Sequence, residues 1–140
     1  MRKNLAGIFI GVIMTVVPLV AHHAFTAEFD AKRPVKLRGT VAKVELINPH
    51  SWIHVDVAGP DGKVVNYACE TAPPNGLYRQ GWTRSSVKAG DEVIIDGSLA
   101  KNGSPTINVK TVTTADGKRL FAGSSGDGGP NSTPPGAPKQ

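Results

Sequence analysis

The alternation of apolar and polar residues over residues 35–70 constrains the fold of this chain more than any other feature. From Val35 to Val41, charged and polar side chains separate residues that suit an interior face. This period of two places the apolar side chains on one face of a β-strand. The apolar series resumes on the opposite parity at Val44, which one extra residue near Ala42 would cause. We therefore predict a long first strand that contains a β-bulge.

Two further strands complete the stretch. Asn48-Pro49-His50 interrupts the first strand, because proline has no N–H to donate to a ladder. The second strand is predicted to point its odd residues inward and its even residues outward: Ile53, Val55 and Val57 against Trp52, His54 and Asp56. Residues 58–62 have turn chemistry and lead to a third strand that contains Cys69. A five-residue loop predicts that His54 pairs with Asn66.

The rest of the domain predicts two more strands after an irregular segment. Residues 71–90 contain two prolines followed by Leu77, Tyr78 and Trp82, which are compatible with one short helix and a tryptophan plug. Residues 92–100 and 106–113 read as strands four and five, joined at the hairpin signal Asn102-Gly103. We therefore expect an all-β fold: a five-stranded OB-fold-like barrel with one short helix between strands three and four.

The two ends of the chain differ from this domain in composition. Residues 1–21 combine a basic start with an apolar run and are predicted to be a secretory signal peptide. The apolar run is short for a bilayer span, so we expect membrane contact only if the signal stays uncleaved. Residues 22–34 are predicted to be an N-terminal arm, 35–122 the barrel domain, and 123–140 a disordered Gly/Ser/Pro tail. We expect the protein in the periplasm or secreted from a bacterial cell.

Charge and cysteine content narrow the classes of function. The formal net charge is +5, but the basic residues are scattered, so nucleic-acid binding is not indicated. The single cysteine, Cys69, excludes an internal disulfide; it is a buried hydrophobe, a redox or intermolecular thiol, or a ligand. Ser85-Ser86 lacks a nucleophile-elbow pattern, and no carboxylates form an acid–base pair. We therefore expect a protein that is not an enzyme.

Short motifs occur in a fixed order along the chain: AHHAF at 21–25, EFD at 28–30, GTV at 39–41, NPHSWI at 48–53 and GWTRSSVKAGDEV at 81–93. In these motifs the chain resembles a family of small exported bacterial proteins of unknown function. The resemblance extends as far as Phe121. It implies an OB-like barrel and brings no activity, cofactor or partner with it.

Histidines are the first candidates for a functional site. All four lie in the first third of the mature chain: His22, His23, His50 and His54. Imidazole is the commonest metal ligand. Cleavage after Ala21 would let the new α-amino group and the His22 ring chelate one ion beside His23. Cleavage one residue earlier would give a third-position histidine suited to Cu(II). We therefore predict a metal site, with copper the first candidate, at His22, His23 and His50.

Each of these histidines also has a structural interpretation. His22 and His23 are alternatively a processing junction at the start of a flexible arm, and His50 closes its own loop. On the outward face of strands two and three, Trp52, His54 and Glu70 are predicted to bind a ligand, because OB-folds bind there. Alternatively, Trp52 packs under the arm, and His54 is a solvated or cross-strand partner.

The leading hypothesis is a non-enzymatic exported binding protein for a metal ion or a small ligand. The alternative is a non-catalytic interaction module, or accessory subunit, that docks an unknown periplasmic or membrane protein.

Overall fold

The computed structural model describes residues 25–123. After the helical residues 25–28, the elements are β1 (Phe29–Glu45), β2 (Ser51–Ala58), β3 (Val64–Thr71), α1 (Pro74–Arg79), β4 (Glu92–Ala100), β5 (Thr106–Thr114) and β6 (Arg119–Phe121). The predictions of a mostly β fold and of a short helix between strands three and four are confirmed. The predicted signal peptide, His22, His23 and the tail beyond Gly123 lie outside the described residues.

The strands hydrogen-bond in the order β3-β2-β1-β4-β5-β6, and β3 also pairs with β5. The β3–β5 pairing is parallel, whereas the other pairings are antiparallel. Each of β1 to β4 therefore has two strand neighbours, β5 has three, and β6 pairs with β5 alone. Because β1 is 17 residues long, its first part pairs with β4 and its second part with β2.

The predicted bulge in β1 is confirmed, since the β1–β2 register shifts between Val41 and Lys43. Before it, Val41 lies opposite Val55; after it, Val44 lies opposite Ile53, so both apolar series face inward. Gly39 is required for a close approach just before the bulge. A Cβ on this residue would lie 2.4 Å from the carbonyl oxygen of Asp56.

Three details of the predicted fold are wrong. There are six strands instead of five. β6 escaped prediction because its three residues are too few to show an alternation of apolar and polar side chains. β1 begins at Phe29 instead of Val35, with an irregular register between Phe29 and Pro34 that accommodates the proline. His54 pairs with Ala68 instead of Asn66, because the β2–β3 loop starts one residue later than predicted. The two-residue shift leaves every side chain on its predicted face.

The core is formed by inward residues of β1 to β5 together with α1 and the segment after it. Trp82 is 5% exposed, and its Nε1 donates a 2.7 Å hydrogen bond to the carbonyl oxygen of Phe121. The expectation that Trp82 is a core residue is thus confirmed. The largest fully buried side chains are Ile53, Leu77, Ile95, Ile107, Val41, Val55, Val93, Val109 and Val112. Among residues 25–123, no helix has the length and apolar character needed to cross a bilayer.

Candidate functional site

The outer face of β2 presents one tryptophan between two glutamates. His50 precedes β2, and Trp52 and His54 follow on the same parity, so the three share this face. Trp52 is directly opposite Glu45 of β1 on one side and Glu70 of β3 on the other. We call these five residues the Trp52 face. The structure thus brings the predicted residues His50, Trp52, His54 and Glu70 together.

Each histidine of the Trp52 face pairs diagonally with one of its glutamates. His50 Nδ1 contacts Glu70 Oε1, and in this pair the glutamate side chain is 11% exposed and the histidine side chain 42%. His54 Nε2 lies 2.9 Å from Glu45 Oε2. Each imidazole therefore uses one ring nitrogen on a carboxylate and keeps the other nitrogen for a further contact.

Glu45 is held in its charged form by two neighbours. A hydrogen bond from Lys43, whose Nζ lies 2.5 Å from Glu45 Oε1, lowers the pKa of Glu45, and the contact with His54 lowers it further. Glu45 thus accepts from both neighbours, one at each carboxylate oxygen. Sequence reasoning missed this residue. The signal was nevertheless present, because the bulge that we predicted puts Glu45 on the outer face opposite Trp52.

The two histidines of the Trp52 face cannot bind one metal ion between them. They are four residues apart along an extended segment, which separates their Cα atoms by about 13 Å. In the part of the chain that the structure describes, no three His, Cys, Asp or Glu side chains are close enough to hold a metal ion. The predicted copper ligands His22 and His23 lie outside that part, so the predicted set of His22, His23 and His50 stays a prediction.

Other candidate residues have structural roles. Cys69 is fully buried, and burial raises the pKa of its thiol to about 12, so the thiol is protonated at neutral pH. Asp56, on the outer face of β2, accepts a 2.7 Å hydrogen bond from Asn66 Nδ2 across the strand pair. The Ser86 hydroxyl accepts a 2.8 Å hydrogen bond from the backbone N–H of Thr83 and so closes a turn.

Comparison with known protein families yields a match over most of the domain. The model of a family of unknown function (DUF6152) matches residues 11–108, which is well over half of the chain and includes the whole Trp52 face. No curated protein matches the chain.

Proposed function

The chain belongs to this family of unknown function, and from the geometry of its own residues we propose that it is a non-enzymatic binding protein exported from a bacterial cell. The ligand site is the Trp52 face. One observation carries the proposal: Trp52 lies between two glutamates, each of which holds a histidine by one ring nitrogen. An indole surface with two oriented imidazoles beside it suits ligand binding better than it suits packing.

We interpret the strand pairings as an OB-like barrel. The pairing of β3 with β5 supports this interpretation, because it gives each of β1 to β5 a neighbour on both sides. OB-folds present strands two and three to their ligands. In this chain the same two strands carry Trp52, His54 and Glu70.

The ligand that we favour is a metal ion, copper first, bound by His50 together with His22 and His23. Metal-binding imidazoles usually donate their second N–H to a carboxylate, which fixes the ring orientation and raises the basicity of the ligand. Glu70 stands in that relation to His50. His54 lies too far along β2 to join the same ion. With Trp52, it offers the rest of the face to a small ligand.

A Cu(II) titration of the mature protein, purified from its own periplasm and checked by intact mass, tests the proposal. We expect one ion per chain, with binding lost in the double variant His22→Ala/His23→Ala and weakened in His50→Ala. Glu70→Gln should cost roughly 10- to 100-fold in affinity, because it removes the partner that orients His50. His54→Ala is the matched control and should bind like the parent. Weak uptake, or uptake indifferent to His50 and Glu70, would contradict the metal proposal.

Tryptophan fluorescence tests whether the ion binds beside Trp52. Cu(II) bound at His50 would sit two residues from Trp52 and quench its emission, whereas Trp82 is buried in the core. We expect quenching in the parent and almost none in Trp52→Phe, although both bind the ion equally. Equal quenching in both proteins would place the ion away from the Trp52 face.

A second function, an interaction module that docks a partner protein, is favoured by a separate observation. Val64 and Val65 are large apolar residues at the start of β3, yet 62% and 41% of their surfaces are exposed. Exposed neighbouring apolar residues beside a strand edge are typical of surfaces that bind other chains.

A further inference from the structure

The first half of β3 has a free edge. β2 pairs with β3 from Val64 to Thr71, but β5 pairs with it only from Ala68 to Glu70. The N–H of Ala68 donates to the Pro105 carbonyl oxygen at 2.9 Å, so it points to the β5 side. Since this direction alternates along a strand, the N–H and C=O groups of Val64 and Asn66 point to the same side. Within residues 25–123, the N–H and C=O groups of Val64 and Asn66 have no hydrogen-bond partner on that side.

The edge is free because the chain turns away from β3 just before β5 begins. Pro105 has no N–H to continue the ladder, and Gly103 adopts a φ of +79° that bends the loop. The Ser104 N–H donates a 3.0 Å hydrogen bond to Asn102 Oδ1, and the Thr106 N–H donates a 2.8 Å hydrogen bond to the Ser104 carbonyl oxygen. The loop is therefore held in place by its own hydrogen bonds, and it lies beside the free edge of β3.

A groove of about 290 Å³ lies between this loop and the free edge. Val65 and Tyr67 line it from β3, Leu99 from β4, and Arg33 from β1. Val65 and Tyr67 have the inward parity of β3, so the groove opens onto the end of the apolar interior. Arg33 is exposed and forms no ion pair with any residue that the structure describes.

We propose that the β3 edge at Val64–Asn66 and the adjoining groove bind an extended, acidic segment of a partner protein as an added β-strand. The segment would occupy the place that a longer β5 would take, and its backbone would pair with Val64 and Asn66. One side chain of the segment would face the groove over Val65 and Tyr67 and should therefore be apolar. A carboxylate nearby would meet Arg33.

Charge complementarity favours an acidic partner over a second copy of this chain. Without Arg2 and Lys3 of the predicted signal peptide, the chain has 14 basic and 11 acidic residues, a formal net charge of +3. Arg33 borders the groove without an ion pair among the described residues, whereas Lys63, just before the edge, pairs with Asp61 at 3.6 Å. Two copies paired edge to edge would therefore bring like charges together, whereas an acidic strand would neutralise them. The inference deepens the second proposed function and does not depend on metal binding.

The test uses a displayed library of linear heptapeptides, selected on the mature full-length protein in the presence of a chelator. We expect enriched peptides that alternate apolar residues and carry at least one Asp or Glu. The chelator separates this test from the metal proposal, because peptide binding should persist when no metal is available. Failure to enrich any sequence would overturn the inference.

Two variants and one control then locate the binding of a synthetic peptide with the enriched sequence. Val64→Pro removes the edge N–H without touching the β2 ladder, so binding should fall by roughly tenfold or more, as expected for a lost strand pairing. Val64→Thr keeps the N–H and should bind within about threefold of the parent. Arg33→Ala should weaken binding by about three- to tenfold and raise its tolerance to salt. Equal binding by Val64→Pro and Val64→Thr would refute the edge pairing.

Amide hydrogen exchange gives a measurement on the unmutated protein, which holds even if Val64→Pro fails to fold. The amides of Val64 and Asn66 should gain protection when the peptide is added. Protection that grows with protein concentration alone, with a dimer in sedimentation, would assign the edge to a second copy and overturn the partner proposal. Peptide-induced protection elsewhere would overturn it too.

Discussion

Replacing Trp82 by phenylalanine tests how strongly one side chain holds β6 and α1 together. The Trp82 indole follows α1 and donates to the Phe121 carbonyl oxygen at 2.7 Å. Phenylalanine cannot donate, and leaving a partly buried carbonyl without its partner costs about 1–2 kcal/mol. The smaller ring also leaves a void worth about 1–2 kcal/mol. We therefore expect Trp82→Phe to lower the free energy of unfolding by about 2–4 kcal/mol, a large share of a typical total of about 5–15 kcal/mol.

Urea unfolding followed by far-UV circular dichroism measures this loss without relying on the tryptophan that is replaced. With a slope of about 2 kcal/mol per molar urea, the midpoint should fall by about 1–2 M. Trp52→Phe is the matched control, because it is the same chemical change at a half-exposed indole that makes no hydrogen bond within the described residues. It should cost less than about 1 kcal/mol. Equal losses in both variants would refute the reasoning.

Three further predictions follow from the core, the buried thiol and the Trp52 face. Gly97→Ala should lower the free energy of unfolding in urea by about 2–3 kcal/mol, because the added Cβ would lie 2.2 Å from the Asn108 carbonyl oxygen. Gly62→Ala is the control: its Cβ would meet no atom within 4 Å, so only its positive φ should lower the free energy of unfolding, by about 1 kcal/mol. Cys69, whose thiol pKa burial raises to about 12, should react with a thiol reagent at pH 8 only as fast as the protein unfolds; rapid labelling of the native protein would contradict this. Because hydrogen bonds from Lys43 and His54 lower the pKa of Glu45 in the folded state, its stabilisation is present above the pKa of the unfolded chain and lost as pH falls through the folded pKa. Glu45→Gln should therefore flatten the acid limb of a plot of unfolding free energy against pH, and an unchanged slope would contradict the assignment.

Much of the fold could be predicted because alternation reports directly on which side chains face inward. The bulge near Ala42 follows from a change of parity, and the limits of β4 follow from an apolar run between a turn and a hairpin signal. The register of β2 against β3 could not be fixed in this way. Loops that start one residue apart preserve the same inward pattern, so alternation cannot distinguish registers that differ by two.

Most residues of the candidate site could be predicted from the sequence, but the contacts between them could not. Trp52, His54 and Glu70 could be named from their place on the outward strand face, and His50 as a histidine in the loop after Pro49. The pairing of His50 with Glu70, however, depends on the register that alternation leaves open. Glu45 lies on another strand, and only the combined effect of bulge and pairing places it beside His54. Diagonal contacts of this kind depend on two strands at once, so a pattern within one strand cannot reveal them.

The bulge at Ala42 changes which residues of β1 face the core, the odd-numbered or the even-numbered ones. Upstream, odd-numbered residues enter the core, and downstream, odd-numbered residues such as Lys43 and Glu45 face outward. If Ala42 were instead a regular ladder residue with no bulge, Glu45 would turn inward and Val44 would lie outside beside Trp52, whereas deleting Ala42 would leave a regular ladder with Val44 inward and Glu45 opposite Trp52. A substitution at Ala42 that preserves the bulge leaves the same side chains of β1 facing inward and outward. At this position, the backbone geometry of the bulge matters more to the surface chemistry than the identity of the residue.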